Sequence, residues 1–184
     1  MAPHAVQPEQ SFTDPTSQYS QDAEDGSLQV IIIGAGIAGL SAAIGLRRAG
    51  CSVSIFEQSE FANEVGAAIH LCPNASRILL QWGIDPIRLR FDETRSGLTA
   101  NAGDLTPLYE ANYDQIPERY GAPWYLSHRV DLHNGLKELA TRKSGKREGV
   151  PAKIHLKSKV VAIVRSRQKG TRAKRGLISL TYLG

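Results

Sequence analysis

The feature that most narrows what this chain can fold into is Gly34-Ala35-Gly36-Ile37-Ala38-Gly39, a G-x-G-x-x-G motif set between two readable elements. Leu28–Ile33 ahead of it is short, β-branched and ended by glycine, the pattern of a buried strand. Ile37–Ala49 behind it has helical spacing, with Ile37, Leu40, Ala43, Ile44 and Leu46 able to share a face and Gly50 as a C-terminal cap. Ser52–Glu57 reads as a second strand, with Val53 and Ile55 on one side. The sum is a β-α-β unit long enough for a right-handed parallel crossover.

Each part of that unit has a physical task. Gly34 permits a tight turn, Gly36 removes a side chain that would block a pyrophosphate, and Gly39 lets helix and strand approach closely. Unpaired N–H groups at the helix start favour the diphosphate charge. Glu57 ends the second strand, 18 residues past Gly39, where a carboxylate accepts hydrogen bonds from both ribose hydroxyls. A carboxylate there repels a 2′-phosphate, so the motif points to FAD or NAD rather than NADP. The competing reading is a strand-to-helix turn that holds no ligand.

The remaining chain continues an α/β pattern. Ala67–Leu71 is expected as a strand, and Ala75–Trp82 as a helix capped by Asn74 and ended by Gly83. Residues 91–126 alternate Thr, Gly, Asn and Tyr with isolated apolar residues, which suits antiparallel strands and loops. Ser127 is expected to cap a helix running to about Arg142, with Leu132, Leu136, Leu139 and Ala140 inward. Ile154–Leu156, Val160–Val164 and Leu177–Tyr182 read as strands, the last two joined by an exposed basic loop, Arg165–Arg175.

Composition bounds the function. With 41% hydrophobic residues and no apolar run of about 20, the chain is expected to be globular and not to span a membrane. Residues 1–27 carry five acids and no Lys or Arg, unlike a signal or transit peptide, so a disordered polar arm and a cytoplasmic location are expected. Residues 137–175 hold 14 Lys or Arg against Glu138 and Glu148. Without an aromatic residue to stack on bases, this reads as a solvated face rather than a nucleic-acid site, the alternative being a partner-binding surface. Cys51 and Cys72 read as buried thiols, and Asn74-Ala75-Ser76 as an incidental glycosylation pattern. His128 and His133 are five apart with no ligand cluster beside them, so no metal site is expected. No catalytic residue is assigned.

Three stretches give the sequence a resemblance to the class A flavoprotein monooxygenases, the aromatic hydroxylase family that includes salicylate hydroxylase. They are "VIIIGAGIAGLSAAIGLRRAGCSVSIFEQ", "EVGAAIHLCPNASRILLQWGI" and "SHRVDLHNGLKELA", in the family's order across residues 30–140. The resemblance implies FAD as cofactor, NADH or NADPH as co-substrate, O2 as oxygen donor, and an aromatic or phenolic small-molecule substrate. It implies that Gly34, Gly36 and Gly39 meet the diphosphate and Glu57 the adenosine ribose. Gly66, Ala67 and Ala68 would pass near the flavin, with Ala68 standing where the family usually has glycine. Arg129 would reach the cofactor from a helix start; a surface ion pair with Asp131 or a neighbouring acid is the competing reading.

Composition, pattern and resemblance together give a division into residues 1–27 (arm), 28–90 (FAD-binding), 91–126 (partial substrate-facing β region) and 127–184 (return to the FAD-binding part). The family's Asp-Gly and Gly-Asp motifs come later in its pattern than the stretches matched here, so an N-terminal part of a longer pattern is expected. Tyr109, Tyr113, Tyr120, Trp124 and Tyr125 form an aromatic group readable as a substrate-pocket wall or as packing. Two further functions stay open: a non-catalytic remnant binding FAD weakly or not at all, and an NAD-dependent dehydrogenase. Oligomeric state is not indicated.

Overall fold

The computed structural model describes residues 27–61, 66–143, 148–167 and 176–183. The expected arm lies, but for Ser27, outside them, as does most of the basic loop, residues 168–175. The expected β-α-β unit is present: β1 (Gln29–Ile33), α1 (Ile37–Arg48) and β2 (Ser52–Phe56). β1 and β2 are parallel, with Val30 opposite Val53 and Ile32 opposite Ile55. β2 then pairs in parallel with a distant strand, Lys153–His155.

Ala68–Leu71 (β3) leads into α2 (Pro73–Trp82). The cap of α2 is Cys72 rather than Asn74, because Pro73 has no N–H to donate and fits the first helical position. Ser76 is buried there and donates to the Pro123 carbonyl at 2.6 Å. Gly83, at φ +91°, ends the helix as expected.

Residues 91–126 hold β4 (Asp92–Glu93), the hairpin β5 (Ser96–Ala100) with β6 (Pro107–Asn112), and a short helix, α3 (Ile116–Tyr120), that the sequence pattern did not signal. β7 (Tyr125–His128) follows, and β3, β7 and β4 form an antiparallel sheet. Ser127 is therefore a strand residue opposite Ile69, its hydroxyl bonded to the His128 carbonyl, and not a helix cap. The next helix, α4, starts two residues later and spans Arg129–Thr141. β8 (Lys153–His155) completes the parallel sheet, and β9 (Lys159–Arg167) pairs antiparallel with β10 (Gly176–Leu183). The whole is the α/β arrangement expected, a parallel sheet with mixed β structure beside it.

The core lies where α1 and α4 meet behind the parallel sheet: Leu40, Ala43, Ile44, Val53, Ile55, Leu132, Leu136, Leu139 and Ala140 are all buried. Cys51 and Cys72 are only half-buried and unpaired, which corrects the expectation of buried thiols.

One buried residue defies its chemistry. Arg47 is 1% exposed and sits on the inner face of α1. Its Nη1 donates to the carbonyls of Leu139 (2.6 Å) and Ala140 (2.9 Å), and its Nη2 to those of Arg142 (3.0 Å) and Gly149 (3.1 Å). α4 has no basic residue in its own last turn. Arg47 thus caps it from another helix, placing positive charge at the negative end of the helix dipole. Burial pulls its pKa below the ordinary arginine value, while Glu148 pushes it back up.

The glycines of the turn separate by what the fold needs. Gly34 has φ +95°, which few side chains tolerate. A Cβ on Gly39 would lie 2.0 Å from the Gly34 carbonyl oxygen, a backbone atom that cannot rotate away. Gly39→Ala is therefore expected to lower stability by about 2 kcal/mol despite alanine's better helix propensity. Chemical denaturation measures this, and a neutral result would show that α1 is not seated so closely on β1.

Candidate functional site

Gly36 behaves differently from its two neighbours in the motif. Its φ of −70° and ψ of −178° suit any residue, and a Cβ there would find nothing within 4 Å. Neither backbone nor packing demands glycine at this exposed position, and the helix start there has room for a ligand. This is the cradle that a diphosphate needs, and a side chain would fill it.

Glu57 closes one side. Its Oε2 accepts the Ala35 N–H and its Oε1 the Ser59 N–H, each at 2.8 Å. Each oxygen keeps further acceptor capacity for a ribose hydroxyl. Burial alone would raise its pKa, but the N–H groups of Ala35 and Ser59, helped by the Ser59 hydroxyl and the Gln58 N–H, hold it below the ordinary glutamate value. The carboxylate is thus kept charged.

The sign of the pH effect follows. A depressed folded pKa gives stability that is fully present above the unfolded value and is lost as pH falls through the folded one. Glu57→Gln can keep one of the two acceptor bonds, so it is expected to cost about 1–2 kcal/mol at neutral pH. The gap to wild type is expected to shrink as acid protonates Glu57 in the wild-type chain. Thermal melts across that range check this; a gap unchanged at low pH would contradict it.

The first turn of α4 gathers the other expected residues. The Arg129 N–H donates to the Ala67 carbonyl at 3.0 Å, and Ala68 pairs with His128. Gly66, Ala67, Ala68 and Arg129 are all exposed on this face. A Cβ on Gly66 would fall 2.0 Å from the His128 ring, so glycine keeps that approach open. Ala68 has no left-handed backbone, so alanine in place of glycine brings no strain.

The ion pair weighed between Arg129 and Asp131 is not formed. Asp131 instead binds Arg90, whose Nη2 lies 2.8 Å from both carboxylate oxygens. Among the described residues, no hydrogen bond or ion pair is shown for the Arg129 side chain.

His133 is the residue that sequence reasoning passed over. It is buried, and its Nε2 is 2.7 Å from the Ala35 carbonyl inside the glycine turn. One helical turn separates it from Arg129, so α4 touches the glycine turn and the Gly66–Ala68 segment together. Its place in the "DLH" stretch, beside buried Leu132 and Leu136, was the available signal.

The aromatic residues do not make one wall. Tyr113 stacks on Trp124 with centroids 5.2 Å apart, His70 meets Trp124 edge-on, and Tyr125 packs near Phe91. Tyr109 and Tyr120 are exposed. Among the described residues, no cluster of three His, Cys, Asp or Glu could hold a metal, and no helix is long and apolar enough to cross a membrane.

Comparison with known proteins agrees with this geometry. The family described as FAD binding domain matches residues 29–155. FAD-dependent monooxygenase cfoG of Aspergillus candidus is 43% identical over 136 residues, covering 73% of this chain and 31% of that protein. Hispidin-3-hydroxylase of Neonothopanus nambi is 39% identical over 140 residues, covering 74% and 32%. The solved tetrameric form of 2-methyl-3-hydroxypyridine-5-carboxylic acid oxygenase superposes with a TM-score of 0.58 at 27% identity, covering 74% of this chain and 33% of that one. The chain spans about a third of the length of the curated relatives it matches.

Proposed function

The chain belongs to the FAD binding domain family, and on that premise we propose that it is the cofactor-holding portion of an FAD-dependent monooxygenase of the aromatic hydroxylase type. The observation that carries the proposal is Gly36, a glycine with open space on its Cβ side at a helix start, opposite a carboxylate held charged. The names of the relatives favour this over an NAD-dependent dehydrogenase.

In this reading the Gly34–Gly36 turn and the first N–H groups of α1 bind the diphosphate, while Gly39 seats the helix. Glu57 accepts the adenosine ribose hydroxyls. Gly66, Ala67 and Ala68 offer a low, exposed edge to the flavin, and Arg129 supplies a fixed cation and several donors to its oxygens. Bound there, FAD would supply the redox chemistry of a monooxygenase, with NADH or NADPH as reductant, O2 as oxygen donor and an electron-rich aromatic ring as acceptor.

Residues 28–90 and 127–184 serve the cofactor, residues 91–126 face the substrate, and the protein works in the cytoplasm on a small phenolic molecule.

The test is to mix the chain with FAD, NADH or NADPH and a panel of phenols under 18O2. Phenol-dependent consumption of reductant with label in the product supports the proposal. FAD binding without turnover would identify a carrier of the cofactor alone, and a chain neither coloured nor thermally stabilised by FAD would favour the remnant.

A further inference from the structure

Ala35, between the first two glycines, is fully buried, and both its backbone polar groups are held by side chains from elsewhere. Its N–H donates to Glu57 Oε2 at 2.8 Å, and its carbonyl is 2.7 Å from His133 Nε2. His133 is 2% exposed and braced edge-on by the Phe61 ring, with centroids 4.9 Å apart. A carbonyl can only accept, so Nε2 carries the proton and donates.

The consequence lies in the next bond. The peptide between Ala35 and Gly36 is trans and planar, so the Gly36 N–H points opposite to the Ala35 carbonyl. Drawing that carbonyl inward to α4 turns the Gly36 N–H outward, toward the exposed side of the turn. We infer that His133 is a positioning residue for the cofactor diphosphate: by holding the Ala35 carbonyl it fixes the direction in which the Gly36 amide donates. This rests on the FAD reading above. The same bond also explains why a polar imidazole occupies a buried helix face otherwise made of Leu, Gly and Ala.

The test compares the full chain with His133→Phe and His133→Gln, the glutamine amide nitrogen standing close to the position of Nε2 and able to donate. Leu136→Ala on the same helix controls for lost packing. FAD affinity is read by titration, and apo stability by thermal melting. His133→Phe is expected to weaken FAD binding on the order of tenfold, since a buried carbonyl loses its donor and the amide its direction. Glutamine is expected to restore most of that affinity, and Leu136→Ala to lower the melting temperature with affinity kept. Equal affinity of the Phe variant and wild type, glutamine no better than phenylalanine, or an equal affinity loss in Leu136→Ala would each overturn the inference.

A second readout needs no bound cofactor and no variant. In the wild-type apo chain, nitrogen NMR is expected to find the proton of His133 on Nε2, coupled to the Ala35 carbonyl; a bare Nε2 overturns the inference even if the variants fail to fold. Failure of the wild-type chain to bind FAD, with this bond present, would count against the FAD reading and not against the bond.

Discussion

Arg47→Met is expected to destabilise the chain by about 3 kcal/mol or more. Methionine keeps an unbranched apolar stem like that of arginine but stops short of the guanidinium and offers no donor. The Leu139, Arg142 and Gly149 carbonyls lose the donor shown for them, and the Ala140 carbonyl keeps only the Ala152 N–H. Hydrogen bonds from a charged group are worth about 1.5–3 kcal/mol each, and a buried acceptor left empty adds its own penalty. The recovered desolvation of the guanidinium offsets part of the sum. Arg47→Lys is expected to cost less, since an ammonium keeps the charge at the helix end but not the fork that spans four carbonyls. Urea denaturation of the three chains measures the order. A methionine variant as stable as wild type would show that the guanidinium is a passenger at the helix end.

Gly36→Val is expected to have the opposite profile: nearly intact folding and lost cofactor binding. The backbone there is extended, and the added side chain meets no protein atom at Cβ. Valine is a poorer helix cap than glycine, so an apo penalty of up to about 1 kcal/mol is expected. The same side chain stands where the diphosphate must approach the helix start. Affinity for FAD is expected to fall on the order of a hundredfold, equivalent to about 2.7 kcal/mol. Paired melting and FAD titration check both halves. A variant that binds FAD like wild type would move the diphosphate elsewhere; one that fails to fold would give Gly36 a structural task the geometry does not show.

The contrast between Arg47 and Gly36 also marks what could be read from the residues in order. The turn, its acid and the two flanking strands are local, set by glycine, by β-branched runs and by an 18-residue spacing. They were legible because each element declares itself within a few residues. Arg47 and His133 were not. Arg47 follows Leu40, Ala43 and Ile44 on the buried face of α1, yet in a "LRRAG" ending it reads as an ordinary last-turn cation. Its partners lie 92 to 102 residues away, and the partner of His133 lies 98 away. Only the packing of α4 on α1 brings them together.

Two boundaries failed for a related reason. Ser127 has the chemistry of a cap, but pairing with Ile69 extends the strand past it. Asn74 has it too, but the helix starts at Pro73, two residues earlier than expected.

The most direct test of the central claim is calorimetric titration of the wild-type chain with FAD, and separately with FMN and riboflavin. Recognition through the glycine turn and Glu57 engages the diphosphate and the adenosine ribose, which FAD has and the other two lack. One FAD per chain, bound at least tenfold more tightly than FMN or riboflavin, is the predicted result. FMN or riboflavin bound as tightly as FAD, or no FAD bound at all, would contradict it.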